Sequence, residues 1–366
     1  MSDNKKYTRR KFLKIAAATG VVGGIAAAGI YKATEFSSDA KGKIVIIGGG
    51  AAGLSMAALL QRWLNNPDIT LIDPSDRQYY QPGFTLVASG VYEPDEVWKK
   101  QEDCIPGDVK WIKDIVVELN PDSKKVRTAN NGNLSYDFLV LTPGLQIDWD
   151  RMEGISRATL GQGNAHTIYD FEGAQKTWTA LQEFAKNGGK AVFTDTYTKH
   201  KCGGAPKKIC LLTDDYGRKQ ETRDKMQLSY FTAEKALYDV PYYVPRLLEI
   251  YNERNIPITL HTQIKAIDTA AKRVYMEKIE TIGEEKVVTP ITEDYDFLHF
   301  TPPMSAPGFV RDAGLSWTEG KLAADGWVMV NKETLIHERY SNIVCLGDCA
   351  GYLPARHRLP CASKCL

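Results

Sequence analysis

Residues 43–53 read KIVIIGGGAAG, an apolar run that leads through spaced glycines into the small-residue segment AALLQRWL. Gly48 permits a tight turn, Gly50 lets the backbone approach a pyrophosphate, and Gly53 lets a helix pack closely on the strand. The diphosphate would lie at the helix N-terminus, where free N–H groups favour negative charge. A second apolar strand ends on Asp73, where ribose hydroxyls need a carboxylate. These features predict a dinucleotide-binding domain, whereas the glycine motif alone would also fit a glycine-rich turn.

Length and composition narrow the class of protein. The chain has 366 residues, 43% of them hydrophobic and 25% charged, which are ordinary values for a globular protein of about two domains. The formal net charge of +1 argues against nucleic acid as a partner, because a phosphate-tracking surface usually leaves a basic excess. The seven cysteines do not indicate a disulfide framework in a chain of this length. We predict no metal site.

The amino-terminal segment has the pattern of a targeting sequence. Residues 8–14 read TRRKFLK and precede an apolar, small-residue run from Ile15 to Ile30. The paired arginines resemble a twin-arginine export signal, whose pathway carries folded, cofactor-loaded proteins. We therefore predict that residues 1–36 are a signal or anchor, and that the protein lies in the periplasm or on the outer face of the cytoplasmic membrane. A chance basic patch before a buried helix is the alternative, and cleavage of the signal stays open.

The second half of the chain lacks a second glycine motif. Residues 136–144 read YDFLVLTPG, a buried strand whose turn ends on Gly144, as at the end of the first half of an FAD domain in two-domain flavoproteins. A nicotinamide-dependent flavoprotein would carry another Gly-x-Gly-x-x-Gly after the strand at 190–193. The sequence there continues TDTYTKHKCGGAP. This departure disfavours reduction by NADH or NADPH, and it puts Cys202 where the turn should be.

Cys202 is the candidate reactive thiol. Residues 199–201, Lys-His-Lys, precede it, and positive charge lowers a thiol pKa by favouring the thiolate. Pro206 is predicted to open a helix over 207–214, whose N-terminus adds to this effect. The alternative is a buried and inert cysteine, which the polar neighbourhood disfavours. Cys210, on the apolar face of that helix, is predicted to be core.

Several motifs match a known family. The run at 201–209, KCGGAPKKI, resembles the active-cysteine motif of sulfide:quinone oxidoreductases, as do segments within 73–87, 109–112 and 301–304. The match extends from about residue 43 to Gly351. The fold that the resemblance implies is α/β, with two tandem Rossmann-like dinucleotide-binding domains of the disulfide-reductase flavoprotein type. The first domain spans 43–150 and 301–351 and holds FAD, and the second spans 151–300.

A motif near the carboxy-terminal end of the match supports the same resemblance. Residues 343–348, IVCLGD, resemble a strand of FAD proteins that ends in Gly-Asp, where the aspartate accepts hydrogen bonds from the ribityl chain. A buried polyol needs such a partner. A strand end with a solvated aspartate is the alternative. The predicted cofactor-binding residues are therefore Gly48, Gly50, Gly53, Asp73, Gly144, Gly347 and Asp348.

The activity that the resemblance implies is a two-electron oxidation of sulfide. In the family, the counterpart of Cys202 and a second cysteine flank the flavin and exchange sulfur. Sulfide attacks the oxidised pair, a persulfide forms, and the remaining thiolate donates electrons to the flavin, which passes them to a membrane quinone. This chemistry needs a thiolate. Cys202 is thus the predicted catalytic residue, and sulfide and a quinone are the predicted partners.

The family pattern stops after Gly351. Family members continue with a Ser-Lys-Thr-x-Ala-Ala-type segment and a further domain, which carries the second redox cysteine and much of the quinone pocket. We hypothesise a frameshift, because codons for residues 353–366 can be chosen that encode this continuation in another frame. We then expect the carboxy-terminal domain to be missing, 352–366 to be an aberrant tail, and Cys361 and Cys365 to be out-of-frame accidents. Cys349 is expected near the flavin and Cys345 in the core.

Three other readings stay open. One is the flavoprotein subunit of flavocytochrome c sulfide dehydrogenase, which is exported and gives electrons to a c-type cytochrome. Against it, the Tyr79-Tyr80 pair is followed by Gln81-Pro82, with no cysteine to tether FAD. Another is a truncated FAD-binding module without turnover. A nicotinamide-dependent reductase is the least favoured, and the number of subunits, including a homo-oligomer, is left open.

Overall fold

The computed structural model describes residues 38–352. The predicted export signal at 1–36 lies outside the described residues. So does the predicted tail from residue 353 onwards, with Cys361 and Cys365.

Strands and α-helices alternate from residue 43 to residue 72 and from residue 165 to residue 259, and strands dominate elsewhere. The strands are β1 Lys43–Ile47, β2 Asp68–Ile72, β3 Arg77–Tyr79, β4 Trp98–Lys100, β5 Lys110–Ile112, β6 Val116–Asn120, β7 Lys125–Thr128, β8 Asn133–Ser135, β9 Phe138–Leu141, β10 Gln146–Ile147, β11 Ala165–His166, β12 Gly189–Thr194, β13 Met226–Phe231, β14 Ile258–Thr259, β15 Thr262–Asp268, β16 Arg273–Ile282, β17 Glu285–Asp294, β18 Phe297–His299, β19 Met304–Ser305, β20 Val328–Met329, β21 Ile343–Cys345 and β22 Ala350–Gly351. The α-helices are α1 Ala51–Trp63, α2 Phe84–Val87, α3 Phe171–Asn187, α4 Ala205–Lys219, α5 Val244–Glu253, α6 Gly308–Asp312 and α7 Gly320–Ala324.

The described residues form two compact units. The first consists of residues 38–79, 98–146 and 305–352, and the second of residues 80–97 and 147–304. The main difference from the predicted boundaries is segment 80–97, which we expected in the first domain. Aromatic packing explains the difference, because the ring of Phe84 lies 5.5 Å from that of Phe171 and Gly90 packs against the ring of Trp178.

The first unit is built on a parallel sheet with strand order β21-β9-β1-β2-β5. Side chains of β1 alternate between two cores, as the twofold period of a strand requires. Ile44 and Ile46 pack with the α1 residues Met56 and Leu60. Val45 and Ile47 join the opposite core, to which the antiparallel sheet β6-β7-β8 contributes Val126. A strand in a parallel sheet that is covered on both faces has a continuous apolar sequence, and residues 44–47 have this pattern.

The second unit repeats this plan. Its parallel sheet has the order β11-β18-β12-β13-β14, and a three-stranded antiparallel sheet, β15-β16-β17, accompanies it. The central strand β12 is buried from Ala191 to Thr194. The predicted α/β class with two tandem Rossmann-like domains is therefore confirmed. Within residues 38–352, every helix is too short or too polar to cross a lipid bilayer.

Candidate cofactor site and candidate active cysteine

The glycine loop after β1 is shaped by backbone contacts that exclude side chains. Gly48 has φ of +97°, in the left-handed region that favours glycine, and a Cβ there would collide with the carbonyl oxygen of Thr142. A Cβ on Gly53 would collide with the carbonyl of Gly48. Gly48 therefore makes the turn, and Gly53 lets α1 pack against the loop.

Gly50 differs from both, because a Cβ there would meet no atom within 4 Å. It is the N-cap residue of α1, and its position has no side-chain hydrogen bond that caps the helix. The first N–H groups of a helix have no acceptor within the helix, and the helix dipole adds positive potential there. A diphosphate fits this arrangement, since it would accept from those N–H groups in the space that a Cβ would fill.

Asp73 follows β2 and lies beside the glycine loop. Its Oδ2 accepts a hydrogen bond from the Gly49 N–H at 2.6 Å, and its Oδ1 accepts from the Ser75 N–H at 2.8 Å. A carboxylate has about four lone-pair sites, so it retains acceptor capacity for a ribose hydroxyl. The buried side chain of Gln101 donates to the Gly49 carbonyl at 2.8 Å, a support that sequence reasoning missed.

The remaining predicted cofactor residues follow neighbouring strands of the same sheet. Gly144 comes after β9 with φ of +71°, and nothing lies within 4 Å of its Cβ position. Gly347 comes after β21, and its Cβ position is 3.3 Å from the Cβ of Ala52 in the first turn of α1. Asp348 is exposed at the next position. Because the carboxyl ends of parallel strands share one edge of the sheet, these residues lie at the edge where nucleotides bind in such folds.

Cys202 lies in the loop between β12 and α4 of the second unit. This loop holds the chain position that the glycine loop has in the first unit, between a central strand and the following helix. Cys202 is half-buried and has φ of +87°, which is uncommon for any residue other than glycine. Its carbonyl accepts from the Ala205 N–H at 2.7 Å. The predicted helix over 207–214 is present and longer, beginning at Ala205 with Pro206 in its first turn.

The prediction that His200 adds positive charge beside the thiol was wrong. Burial lowers the pKa of His200 more than the nearby carboxylate of Asp195 raises it, so the imidazole is neutral at neutral pH. Its Nδ1 is 3.3 Å from the Thr198 carbonyl oxygen. Lys199 is exposed, and the ammonium of Lys201 donates to the side chain of Gln81.

A buried cation that the sequence reasoning missed lies close to this loop. Lys207 is 5% exposed, and its Nζ donates to the Gly203 carbonyl at 2.9 Å and to Asp195 Oδ2 at 3.2 Å. One signal could have revealed it. Lys207 is three residues before Cys210, which was assigned to the core, and residues at that spacing share a helix face.

Three of the other four described cysteines are buried, whereas Cys104 is half-buried like Cys202. Cys210 is fully buried and burial raises its thiol pKa, which confirms its assignment to the core. Burial likewise raises the pKa of Cys345, the other predicted core cysteine, beside Cys349. Cys349 is fully buried in the core of the first unit, and Cys104 is half-buried. Within residues 38–352 we find no cluster of His, Cys, Asp and Glu that could hold a metal ion.

Comparisons with known proteins agree with the fold and the site described above. Residues 42–185 match the family described as pyridine nucleotide-disulphide oxidoreductase. The chain is 34% identical over 307 residues to a mitochondrial sulfide:quinone oxidoreductase of Mus musculus and 35% identical to one of Dictyostelium discoideum. Each alignment covers 84% of this chain but only 65% of the relative. The chain is therefore similar to these sulfide:quinone oxidoreductases and spans 65% of their length, so the resemblance read from its motifs is confirmed.

A solved structure supports the fold. The sulfide:quinone oxidoreductase of Aquifex aeolicus superposes with a TM-score of 0.70 at 23% identity, over 86% of this chain and 70% of that one.

Proposed function

We propose that this chain is a flavoprotein oxidoreductase that oxidises sulfide through Cys202 and passes the electrons to a quinone. The names of its relatives support sulfide and quinone as substrates. The observation that carries the proposal is the loop between β12 and α4. In the first unit the corresponding loop is a glycine turn suited to a diphosphate, whereas in the second it holds a half-buried cysteine.

FAD is the cofactor that the first unit fits best. Gly50 and the first turn of α1 would hold the diphosphate, Asp73 a ribose, and Asp348 the ribityl chain. When bound, FAD supplies a two-electron acceptor. The protein's part is to hold this group in place, since the backbone contacts at Gly48 and Gly53 set the loop before any ligand arrives.

Cys202 supplies the sulfur chemistry. In this proposal hydrosulfide attacks a disulfide between Cys202 and a second cysteine, which leaves a persulfide on one sulfur and a thiolate on the other. The thiolate carries the released electron pair. The second cysteine is not assigned among the described residues: Cys210, Cys345 and Cys349 are fully buried, and the half-buried Cys104 serves as the control in the test below.

We also propose export through the segment at 1–36, based on its Arg9-Arg10 pair and apolar run. Replacing both arginines by lysine should keep the protein in the cytoplasm. Cell fractionation measures where the protein is found, and a double variant located like wild type would contradict the proposal.

The activity is tested on the purified, flavin-loaded chain by anaerobic visible spectroscopy. Sulfide should bleach the flavin band and a short-chain quinone should restore it. Cys202→Ser should abolish the bleaching, whereas the matched control Cys104→Ser should retain it. The Cys202 peptide is then examined by mass spectrometry for one added sulfur atom. A wild-type flavin that is indifferent to sulfide would instead indicate an FAD-binding module without turnover.

A further inference from the structure

The second unit encloses an ion pair at the base of the Cys202 loop. The ammonium of Lys207 uses its three hydrogens on the Gly203 carbonyl, Asp195 Oδ2 and the hydroxyl of Tyr230, which lies 3.1 Å away. Asp195 is fully buried and also accepts from the hydroxyl of Thr232 at 2.6 Å. Both charges are therefore satisfied by partners on β13 and the loops that follow β12 and β13.

Stability alone does not explain why this position holds a buried charge pair. Removing two ions from water costs several kcal/mol, and an apolar pair of similar volume often folds as well or better. A more specific role follows from the hydrogen bond between Lys207 and the Gly203 carbonyl, because this carbonyl belongs to the backbone of the Cys202 loop.

Side-chain packing is sparse at the two glycines that follow Cys202. The atoms nearest to the Cβ positions of Gly203 and Gly204 are on Tyr238 and Lys208, at 3.9 Å and 4.0 Å, so side-chain packing there is loose. Cys202 also has a left-handed backbone, a conformation that is unfavourable for a residue with a Cβ. Such a conformation persists only where neighbouring contacts impose it.

We propose that Lys207, held by Asp195, is a positioning residue for Cys202. Its hydrogen bond to the Gly203 carbonyl acts together with the bond from the Ala205 N–H to the Cys202 carbonyl, and the two fix the loop ahead of α4. The thiol is thereby kept at the N-terminal end of α4, where the helix dipole favours a thiolate. The inference rests on the proposed function only in taking Cys202 as the reactive thiol.

The test measures Cys202 alkylation in the flavin-loaded full chain, without sulfide or quinone. Iodoacetamide is the probe, and peptide mass spectrometry follows the Cys202 peptide. The double variant Lys207→Met/Asp195→Asn removes both charges and the bond to Gly203. We expect its Cys202 to react about fivefold more slowly, the equivalent of one lost hydrogen bond. Lys207→Gln/Asp195→Asn keeps an amide donor and should restore the rate to within about twofold of wild type.

Two further variants keep the test decisive. Lys208→Met is the matched control, because Lys208 is the exposed neighbour on the same helix, and its rate should equal that of wild type. Tyr230→Phe removes one acceptor of the ammonium and the hydroxyl that donates to Asp195 Oδ2 at 3.3 Å, but it keeps both charges and the ring, so it should fold and slow alkylation by about twofold even if the double variant does not fold.

A folded Lys207→Met/Asp195→Asn variant with the wild-type rate would overturn the inference. A Gln/Asn variant as slow as the Met/Asn variant would also overturn it, since the hydrogen bond to Gly203 would not be the cause. Failure of the proposed function is a separate result, because it is read from the response of the flavin to sulfide.

Discussion

Acid should destabilise the second unit through a buried histidine. His166 is 3% exposed, its ring stacks on Phe297 at 5.5 Å, and neither ring nitrogen has a hydrogen-bond partner among residues 38–352. Burial, with a smaller contribution from the charge of Lys176, lowers its pKa from 6.5 to about 4. The folded protein therefore binds fewer protons than the unfolded chain between these two values.

The size of the effect follows from linkage. Above pH 6.5, the pKa of histidine in the unfolded chain, His166 does not reduce the free energy of unfolding. As the pH drops from 6.5 towards 4, the unfolded chain binds a proton that the folded protein does not, and the free energy of unfolding falls. Between pH 7 and pH 5 the loss from this residue is about 2 kcal/mol. His299, whose pKa is lowered to about 3 by burial and by the charge of His166, adds a loss of its own, and replacing His166 removes the second of these two causes in the variant.

The assay compares urea denaturation of wild type and His166→Leu at pH 7 and pH 5, followed by tryptophan fluorescence. The variant should lose about 2 kcal/mol less than wild type between the two pH values, because leucine fills the site without titrating. Phe184→Leu is the control, since Phe184 is also buried against Phe297 at 5.6 Å. It should lower stability equally at both pH values. An identical pH-dependent loss in wild type and His166→Leu would refute the reasoning.

Two other predictions rest on local geometry. Gly50→Ala should fold normally but retain about tenfold less FAD, since its methyl group enters the diphosphate space, whereas Gly53→Ala should lose about 2 kcal/mol of stability through collision with the Gly48 carbonyl. Flavin absorbance per chain and thermal unfolding separate these effects, and equal flavin loss without destabilisation in both would contradict the assignment. Asp214→Asn should cost about 3 kcal/mol, because the fully buried carboxylate accepts from three arginines, among them one at 2.6 Å. Urea denaturation measures this, and the exposed neighbour Asp215→Asn is the control. Equal stabilities of the two variants would count against the buried network.

The order of elements around the glycine loop was predictable because its causes are local. The helix packing of Gly53 against Gly48 involves residues only five positions apart, and the apolar run of β1 indicates a strand buried on both faces, whereas the contact that excludes a side chain at Gly48 comes from the distant Thr142. The same holds for the helix that begins near Pro206. Segment 80–97 joins the second unit through Phe171 and Trp178, which are about 80 to 90 residues away along the chain, and pattern reasoning does not detect such contacts.

What the amino-acid sequence determined by itself is the class of fold and the glycine loop, and it made Cys202 the predicted reactive position. Each of these is written in short stretches whose backbone requirements are satisfied locally. Only the tertiary structure decided the electrostatics around that cysteine. His200 reads as a cation in the run Lys-His-Lys, but burial makes it neutral. Lys207 reads as a surface residue, but Asp195 and Tyr230 enclose it. The physical reason is that burial and charge depend on strands that meet only in the folded chain, and sequence spacing does not record that meeting.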